Sequence, residues 1–181
     1  MKRCKWCNLN NEKYIEYHDK EWGVSNFDDK YLFEMLILES FQAGLSWECI
    51  LNKRENFEKA YDNFEIDKIC LYDDNKVKEL LNDKNIIRNK LKIIASINNA
   101  KIFRKIMQEY GSFYDYLKTF TNGKIIYEIN KTKSDLSDNI SKDLISRGMK
   151  FVGSTTIYSY LQAVGIIFSH DDECFFAVKN N

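Results

Sequence analysis

NIIRNKLKIIASINNAKIFRKIMQEYG, residues 85–111, is the longest stretch of the chain that keeps one period. Ile87, Leu91, Ile94 and Ala95 fall at helical spacing, then Ile102, Phe103, Ile106 and Met107, and Gly111 stops the run. Apolar positions three and four apart make one face of a helix, and a glycine past the last turn ends it. The flanking segments read the same way. DDKYLFEMLILESFQAG (28–44) puts Leu32, Phe33, Leu36 and Ile37 on one face and ends at Gly44. SWECILNKRENFEKAYDNF (46–64) can start on Ser46 as an N-cap and carries Ile50 and Leu51 inward. DDNKVKELLND (73–83) has acidic residues in its first turn, where a helix dipole favours them. SFYDYLKTF (112–120), SDNISKDLISRG (137–148) and STTIYSYLQAVGIIF (154–168) complete the set. Only KIIYEIN (124–130) alternates enough to suggest extended backbone, and one such piece does not make a sheet. The expected class is all-α, in a single domain over 1–181.

Composition sets the outer limits. At 181 residues with 44% hydrophobic content the chain can bury a sizeable core. No apolar run is long enough to span a membrane. The start, MKRCKWCNLNNEKY, lacks the apolar core of a secretory signal, so a cytoplasmic location is expected. Five cysteines, an odd number, argue against a disulfide framework. With 27 basic and 27 acidic residues there is no global charge footprint for nucleic acid, and any DNA contact must rest on a local patch.

The opening MKRCKWC raises its own question, since two cysteines three apart can be half a zinc site or a redox pair. A thioredoxin-like C-x-x-C wants a βαβ context, which is missing here. Cys4 (or Cys7) and His18 stand near one end of the chain, and His170 and Cys174 near the other. Two Cys and two His form a tetrahedral zinc set. The last pair, four apart, can face one point. Cys4 and His18 are separated by 13 residues, outside ordinary finger spacing, and spacing alone does not choose between Cys4 and Cys7. Unrelated residues at two chain ends remain the plainer alternative.

Four segments carry a closer resemblance: RCKWC…YIEYHDKEWGV (3–7 and 14–24), LFEMLILESFQAGLSWECILNKRENF (32–57), IIRNKLKI (86–93) and RGMKFVGSTTIYSYLQAVG (147–165). In this order they closely resemble the type I DNA-3-methyladenine glycosylases, from Arg3 to about Cys174. ESFQAGLSW and KFVGSTT are far more specific than a lone C-x-x-C. The resemblance implies a helix-hairpin-helix DNA-repair fold, with the hairpin at about 137–167. It also implies one structural Zn2+ per chain tying the segments 4–18 and 170–174 together, with Cys4, His18, His170 and Cys174 as ligands and Cys7 a spare buried thiol. The implied activity is hydrolytic release of free 3-methyladenine from alkylated double-stranded DNA by a monomer, without lyase chemistry.

Such an enzyme must take a base out of the duplex, and the residues can be sorted by that need. Around Arg147, Gly148, Lys150 and Gly153, a small turn followed by the helix start at Ser154 can grip phosphate, or be an ordinary glycine-capped connection. IIRNKLK offers a second basic patch or a solvated helix face. Gly44 permits a tight turn that can carry Leu45 into the base stack, with Gln42 facing the orphaned base; Leu45 as a core residue is the alternative. Trp6, Tyr17, Glu39 and Trp47 suggest a pocket for a cationic purine, whereas Trp22 reads as core. A carboxylate on the apolar helix 28–44 is costly without a partner, and the family's pocket has a matching Glu that reads the damaged base. The wider superfamily uses an Asp about 20 residues past the hairpin. Asp171 and Asp172 come near it by count but fall between two implied zinc ligands, and the type I family lacks that Asp, so no catalytic role is assigned to them. A broader alkylpurine glycosylase, a non-catalytic helix-hairpin-helix DNA-binding module and a zinc-stabilised interaction domain are the competing classes.

Overall fold

A computed structural model describes residues 1–177. The described chain is mostly helical. The helices are α1 (Glu12–Lys20), α2 (Asp29–Gln42), α3 (Trp47–Leu51), α4 (Arg54–Ala60), α5 (Ile66–Ile69), α6 (Asp74–Asn82), α7 (Lys90–Tyr110), α8 (Phe113–Thr121), α9 (Asp135–Ser146) and α10 (Ser154–Ala163). Their starts are set by local chemistry. Asn11, Asp28, Ser46, Asp73, Asn89 and Ser112 each accept a backbone N–H of the first turn on the side chain, satisfying donors that have no partner inside the helix.

α2 is the central helix. Leu32, Phe33, Met35, Leu36, Ile37, Leu38 and Phe41 are all buried, so its apolar surface goes nearly all the way round. α7 and α10 pack against it, α9 packs against α10, and α3 joins its C-terminal end.

Several elements differ from the sequence expectation. The stretch 46–64 is not one helix: it breaks at Asn52–Lys53 into α3 and α4. α10 stops at Ala163, and Ile167–Phe168, expected as helix, is extended. It pairs in parallel with Ile126–Tyr127, so KIIYEIN has a partner after all, in a ladder two residues long. α1 has no counterpart in the sequence reading. α7 begins at Lys90, which leaves Ile87 outside it, and Leu91 and Ile94 are 70% and 46% exposed. Ala95, Ile102, Phe103 and Ile106 lie inward as expected, and the buried face adds Ile93, Ile97 and Ala100 together with the polar Lys92, Ser96 and Asn99.

The break after α10 brings backbone against backbone. Gly165 has φ of +75°, and a Cβ there would stand 2.5 Å from the Ser25 nitrogen and 2.6 Å from the Val24 carbonyl carbon. Neither atom is the end of a flexible side chain. Gly165→Ala is therefore expected to cost about 2–4 kcal/mol of stability, through both the positive φ and the clash. A denaturant midpoint unchanged in this variant would contradict the close approach.

Candidate functional site: an aromatic pocket beside a Cys–His cluster

α1, α2, α3, α10 and the chain's first turn enclose a cavity of about 330 Å3, within the range typical of small-ligand sites. Trp6, Tyr14, Tyr17, Trp22 and Trp47 form its aromatic side, and Ser159 and Gln162 of α10 contribute polar lining. Trp6 is the hub, with the rings of Tyr14 at 5.4 Å, Tyr17 at 6.3 Å and Trp22 at 4.8 Å. Tyr17 in turn meets Trp47 at 5.4 Å. Glu39, only 4% exposed, lines the same cavity. Burial pushes its carboxyl up to about 8, with no charge or hydrogen bond among the described residues to offset the desolvation. Trp47 Nε1 is likewise buried without a partner among the described residues. An acidic group and an N–H donor, both unanswered by protein, sit among purine-sized aromatic faces.

Next to this cavity Cys4, His18, His170 and Cys174 converge, all buried, with their ligand atoms within 4.8 Å of one another. Cys4 Sγ lies 3.4 Å from His170 Nδ1, and Cys174 Sγ lies 3.5 Å from both His18 Nε2 and His170 Nδ1. With zinc–sulfur at about 2.3 Å and zinc–nitrogen at about 2.05 Å, a tetrahedral ion separates S and N by about 3.6 Å, so the cluster could hold a metal ion. The surrounding hydrogen bonds fit that use. His18 Nδ1 is 2.8 Å from Asp19 Oδ1, which turns Nε2 toward the cluster, where it also accepts the Cys4 backbone N–H at 3.2 Å. Arg3 grips Asp19 through two contacts at 2.7 and 2.6 Å and holds its carboxyl down at about 2. The Asp171 N–H donates to Cys4 Sγ at 3.4 Å. Burial pushes the Cys4 thiol up to about 12 and His170 down to about 4. The imidazole is thus neutral, as a ligand must be, while the thiol needs a cation beside it to ionise.

CKWC is a turn closed by a 3.0 Å bond from Cys7 N to Cys4 O. It sends the two sulfurs to different places: Cys7 Sγ faces the Tyr14 carbonyl at 3.7 Å and takes no part in the cluster. The turn places Trp6 against the His18 ring at 5.3 Å, and Trp22 meets His170 at 4.7 Å. The cluster and the pocket thus share a wall.

Two turns at helix ends complete the geometry. Gln42–Leu45 is a type II turn: Ala43 has φ −48° and ψ 115°, Gly44 has φ +80°, and Leu45 N donates to Gln42 O at 2.7 Å. Leu45 is 38% exposed at its end, so the core alternative for it does not hold. Gln42 Nε2 donates to the Leu45 carbonyl at 2.8 Å, which ties the amide to the turn itself. The second turn joins α9 to α10. Gly148 has φ of +100°, and Gly153 is the α10 N-cap with no side-chain cap bond, so the first N–H groups of that helix are left to an outside acceptor.

A family model described as methyladenine glycosylase matches residues 6–177. The chain belongs to the methyladenine glycosylase family. It is 40% identical to the DNA-3-methyladenine glycosylase 1 of Escherichia coli (strain K12), over 96% of each chain. It is 35% identical to the DNA-3-methyladenine glycosylase of Haemophilus influenzae (strain ATCC 51907 / DSM 11121 / KW20 / Rd), over 95% of this chain and 96% of that one. Among solved structures, a Tyr-to-Phe variant of 3-methyladenine DNA glycosylase I in complex with 3-methyladenine superposes with a TM-score of 0.93 at 35% identity, covering 100% of both chains.

Set against this family, the structure sorts the sequence's candidates. Trp6, Tyr17, Glu39, Gln42 and Trp47 meet in one cavity. Gly44 and Leu45 stand on the turn beside it. Gly148, Lys150, Gly153 and Ser154 share the other turn, although the Ser154 hydroxyl is paired with Ser137 Oγ at 2.9 Å. Arg147 departs from expectation: its guanidinium is consumed by Glu109, Asp143 and the Tyr110 hydroxyl at 2.6–3.1 Å, which removes it from the gripping set. The basic patch in IIRNKLK loses Lys92, which is buried. Trp22 is buried as expected and lines the pocket as well. Tyr14, Ser159, Gln162 and Asp171 also reach the cavity. Tyr14 had a signal, lying one turn of helix before His18 beside Tyr17; the α10 residues had none. Asp171 Oδ2 accepts the Lys5 N–H at 2.7 Å, so it binds the two chain ends together.

Proposed function

We propose that this protein excises 3-methyladenine from alkylated double-stranded DNA by hydrolysing the N-glycosidic bond, leaving an abasic site and releasing the free base. The observation that carries the reading is Glu39: an unpartnered, buried carboxyl among aromatic rings in a purine-sized cavity. The 3-methylated nucleotide carries a positive charge on its base, so its glycosidic bond is already weak. Holding that cation against the Trp6 and Trp47 faces and the Glu39 carboxylate selects it over a neutral base. With water admitted, the weakened bond is hydrolysed without protonation of the leaving group, the base departing neutral as its charge passes to the sugar. Lys131, at the cavity rim, is half-exposed and paired with Glu128 at 3.0 Å, which does not favour it as a Schiff-base nucleophile.

In this proposal α9, its turn and α10 form the helix-hairpin-helix unit, gripping phosphate through the α10 N-terminus and Lys150. Leu45 fills the space the base vacates. Zn2+ is the ion the two thiolates and two imidazoles favour, held by Cys4, His18, His170 and Cys174 as a structural clip. One chain carries pocket, clip and both turns, so the enzyme acts as a monomer, and it works in the cytoplasm. Among the described residues no helix is long and apolar enough to cross a membrane.

Incubation with methylated DNA and identification of the released bases tests the function. Release of 3-methyladenine alone is expected; release of other alkylpurines would establish the broader activity, and no release would leave a DNA-binding module. The grip has a clean test as well. A Cβ at Gly153 meets nothing within 4 Å and its φ is −62°, so Gly153→Val should fold normally. It should weaken binding to methylated and unmethylated duplexes alike, by about tenfold or more, as expected for losing one charge-assisted hydrogen bond. A loss confined to methylated sites would contradict it.

A further inference from the structure

The two turns that would meet DNA are held by the same helix. α2 has no basic residue in its last turn and its C-cap, Ala43, is not a glycine. Its terminal carbonyls are instead taken by Lys92 of α7, whose Nζ lies 2.7 Å from Phe41 O and 2.5 Å from Ala43 O. Ala43 is the first corner of the Gln42–Leu45 turn. The same ammonium lies 5.9 Å from the centre of the Phe151 ring, in the other turn. Seven residues on, about 10 Å along the axis and on the same face of the helix, Asn99 is fully buried. Its Nδ2 donates to Lys150 O at 2.8 Å, and its Oδ1 accepts from Lys150 N at 2.9 Å. Asn98 adds a bond to Gly148 O at 2.9 Å. Burying an ammonium and a carboxamide on one face of a helix is costly unless their partners answer them. Here the answering groups are chiefly backbone: the carbonyls of Phe41, at the end of α2, and Ala43 for Lys92, and the Lys150 N–H and carbonyl for Asn99.

We infer that Lys92 and Asn99 are positioning residues that fix the spacing between the base-displacing turn at 42–45 and the phosphate-gripping turn at 147–153. The inference rests on the DNA roles proposed for those turns. A duplex is a rigid template, so a base-displacing side chain works only at a fixed distance from the phosphates that anchor it. A small misplacement lowers the rate although neither turn has lost a contacting residue.

A double-mutant cycle tests this, read by single-turnover release of 3-methyladenine from methylated duplex and by titration with the free base. Lys92→Met keeps the stem and removes the donor. It is expected to slow excision about tenfold while free-base affinity stays within about twofold, because no pocket-lining side chain is touched. If Lys92 acts through the turn, Lys92→Met added to Leu45→Ala should cost less than about twofold further. Asn99→Leu should weaken binding to unmethylated duplex, and lose most of that effect in the Gly153→Val background. Additive losses in both cycles, or a fall in free-base affinity matching the fall in excision, would overturn the brace and leave Lys92 and Asn99 as general supports of the fold. If Leu45→Ala and Gly153→Val are themselves silent, the reading of the turns fails and the brace falls with it. If those two act while Lys92→Met and Asn99→Leu are silent, the brace alone fails.

Discussion

Chelating the proposed zinc, or replacing Cys4 and Cys174 together by serine, is expected to lower the melting temperature by roughly 10–20 °C. The proposed clip joins residues 4 and 174, so it closes nearly the whole chain into a loop. By the loop-entropy relation for cross-links, closing a loop of that length stabilises the folded state by about 5 kcal/mol, and for a domain of this size each kcal/mol corresponds to about 2–4 °C. Among the described residues the other ties between the ends include the Lys2–Glu173 surface pair and single hydrogen bonds, from Phe175 N to Lys2 O at 2.9 Å and from Lys5 N to Asp171 Oδ2 at 2.7 Å. Trp6 packs at a tilt against His18 and Trp22 edge-on against His170, so affinity for free 3-methyladenine should fall with loss of the proposed ion. Elemental analysis should find one zinc per chain. Purified protein without zinc, or full occupancy in the double serine variant, would end the assignment.

How far the sequence carries depends on whether a residue's partner is near it in the chain. α2 and its ending at Gly44 follow from local pattern, and so does the cap at Ser46, because a cap answers a donor two or three residues away. α7 shows where pattern fails. Ala95, Ile102, Phe103 and Ile106 do lie inward, but counting the first turns from Ile87 fails, since Asn89 caps the helix at Lys90 and Ile87 lies outside it. The apolar stripe then falls on Leu91 and Ile94, while the true inward face carries Lys92 and Asn99, residues that look solvated until the carbonyls of 41, 43 and 150 are brought to them. Arg147 fails for the opposite reason: a basic residue at a glycine turn looks free, but Glu109 reaches it from the end of α7. Residue type and chain-end placement suggested the Cys–His cluster, while the family resemblance supplied the choice of Cys4 over Cys7. The structure shows the reason for that choice in the direction of the Cys7 side chain.

Glu39→Gln is expected to do two opposite things, and doing both is what would identify its role. The first concerns stability. In the native protein the Glu39 carboxyl is raised from 4.5 to about 8 by burial alone. The folded state therefore binds this proton more tightly than the unfolded one, and the stabilisation is complete below about pH 4.5 and lost as pH rises through 8. At about 1.36 kcal/mol per unit, the ionised carboxylate costs the fold up to about 5 kcal/mol at pH 9. Glutamine carries no such cost, so the gap in melting temperature between variant and parent should be small at pH 5 and widen to pH 9 in the variant's favour. The second concerns excision. Only the carboxylate can pair with a cationic purine, so the parent's kcat/KM should climb with pH to about 8 and level off. The variant should be flat with pH and, on the parent's plateau above about pH 8, slower by about 10–100-fold, the worth of a hydrogen bond to a charged partner, with the gap closing toward pH 5. Glutamine keeps an acceptor oxygen but loses the charge, so free 3-methyladenine should bind more weakly as well. Complete loss of cleavage with undiminished base affinity would make Glu39 a general base rather than the group that recognises the cation. A variant no more stable than the parent at pH 9 would mean that Glu39 is not desolvated, and that the unanswered carboxyl on which the function rests is not there.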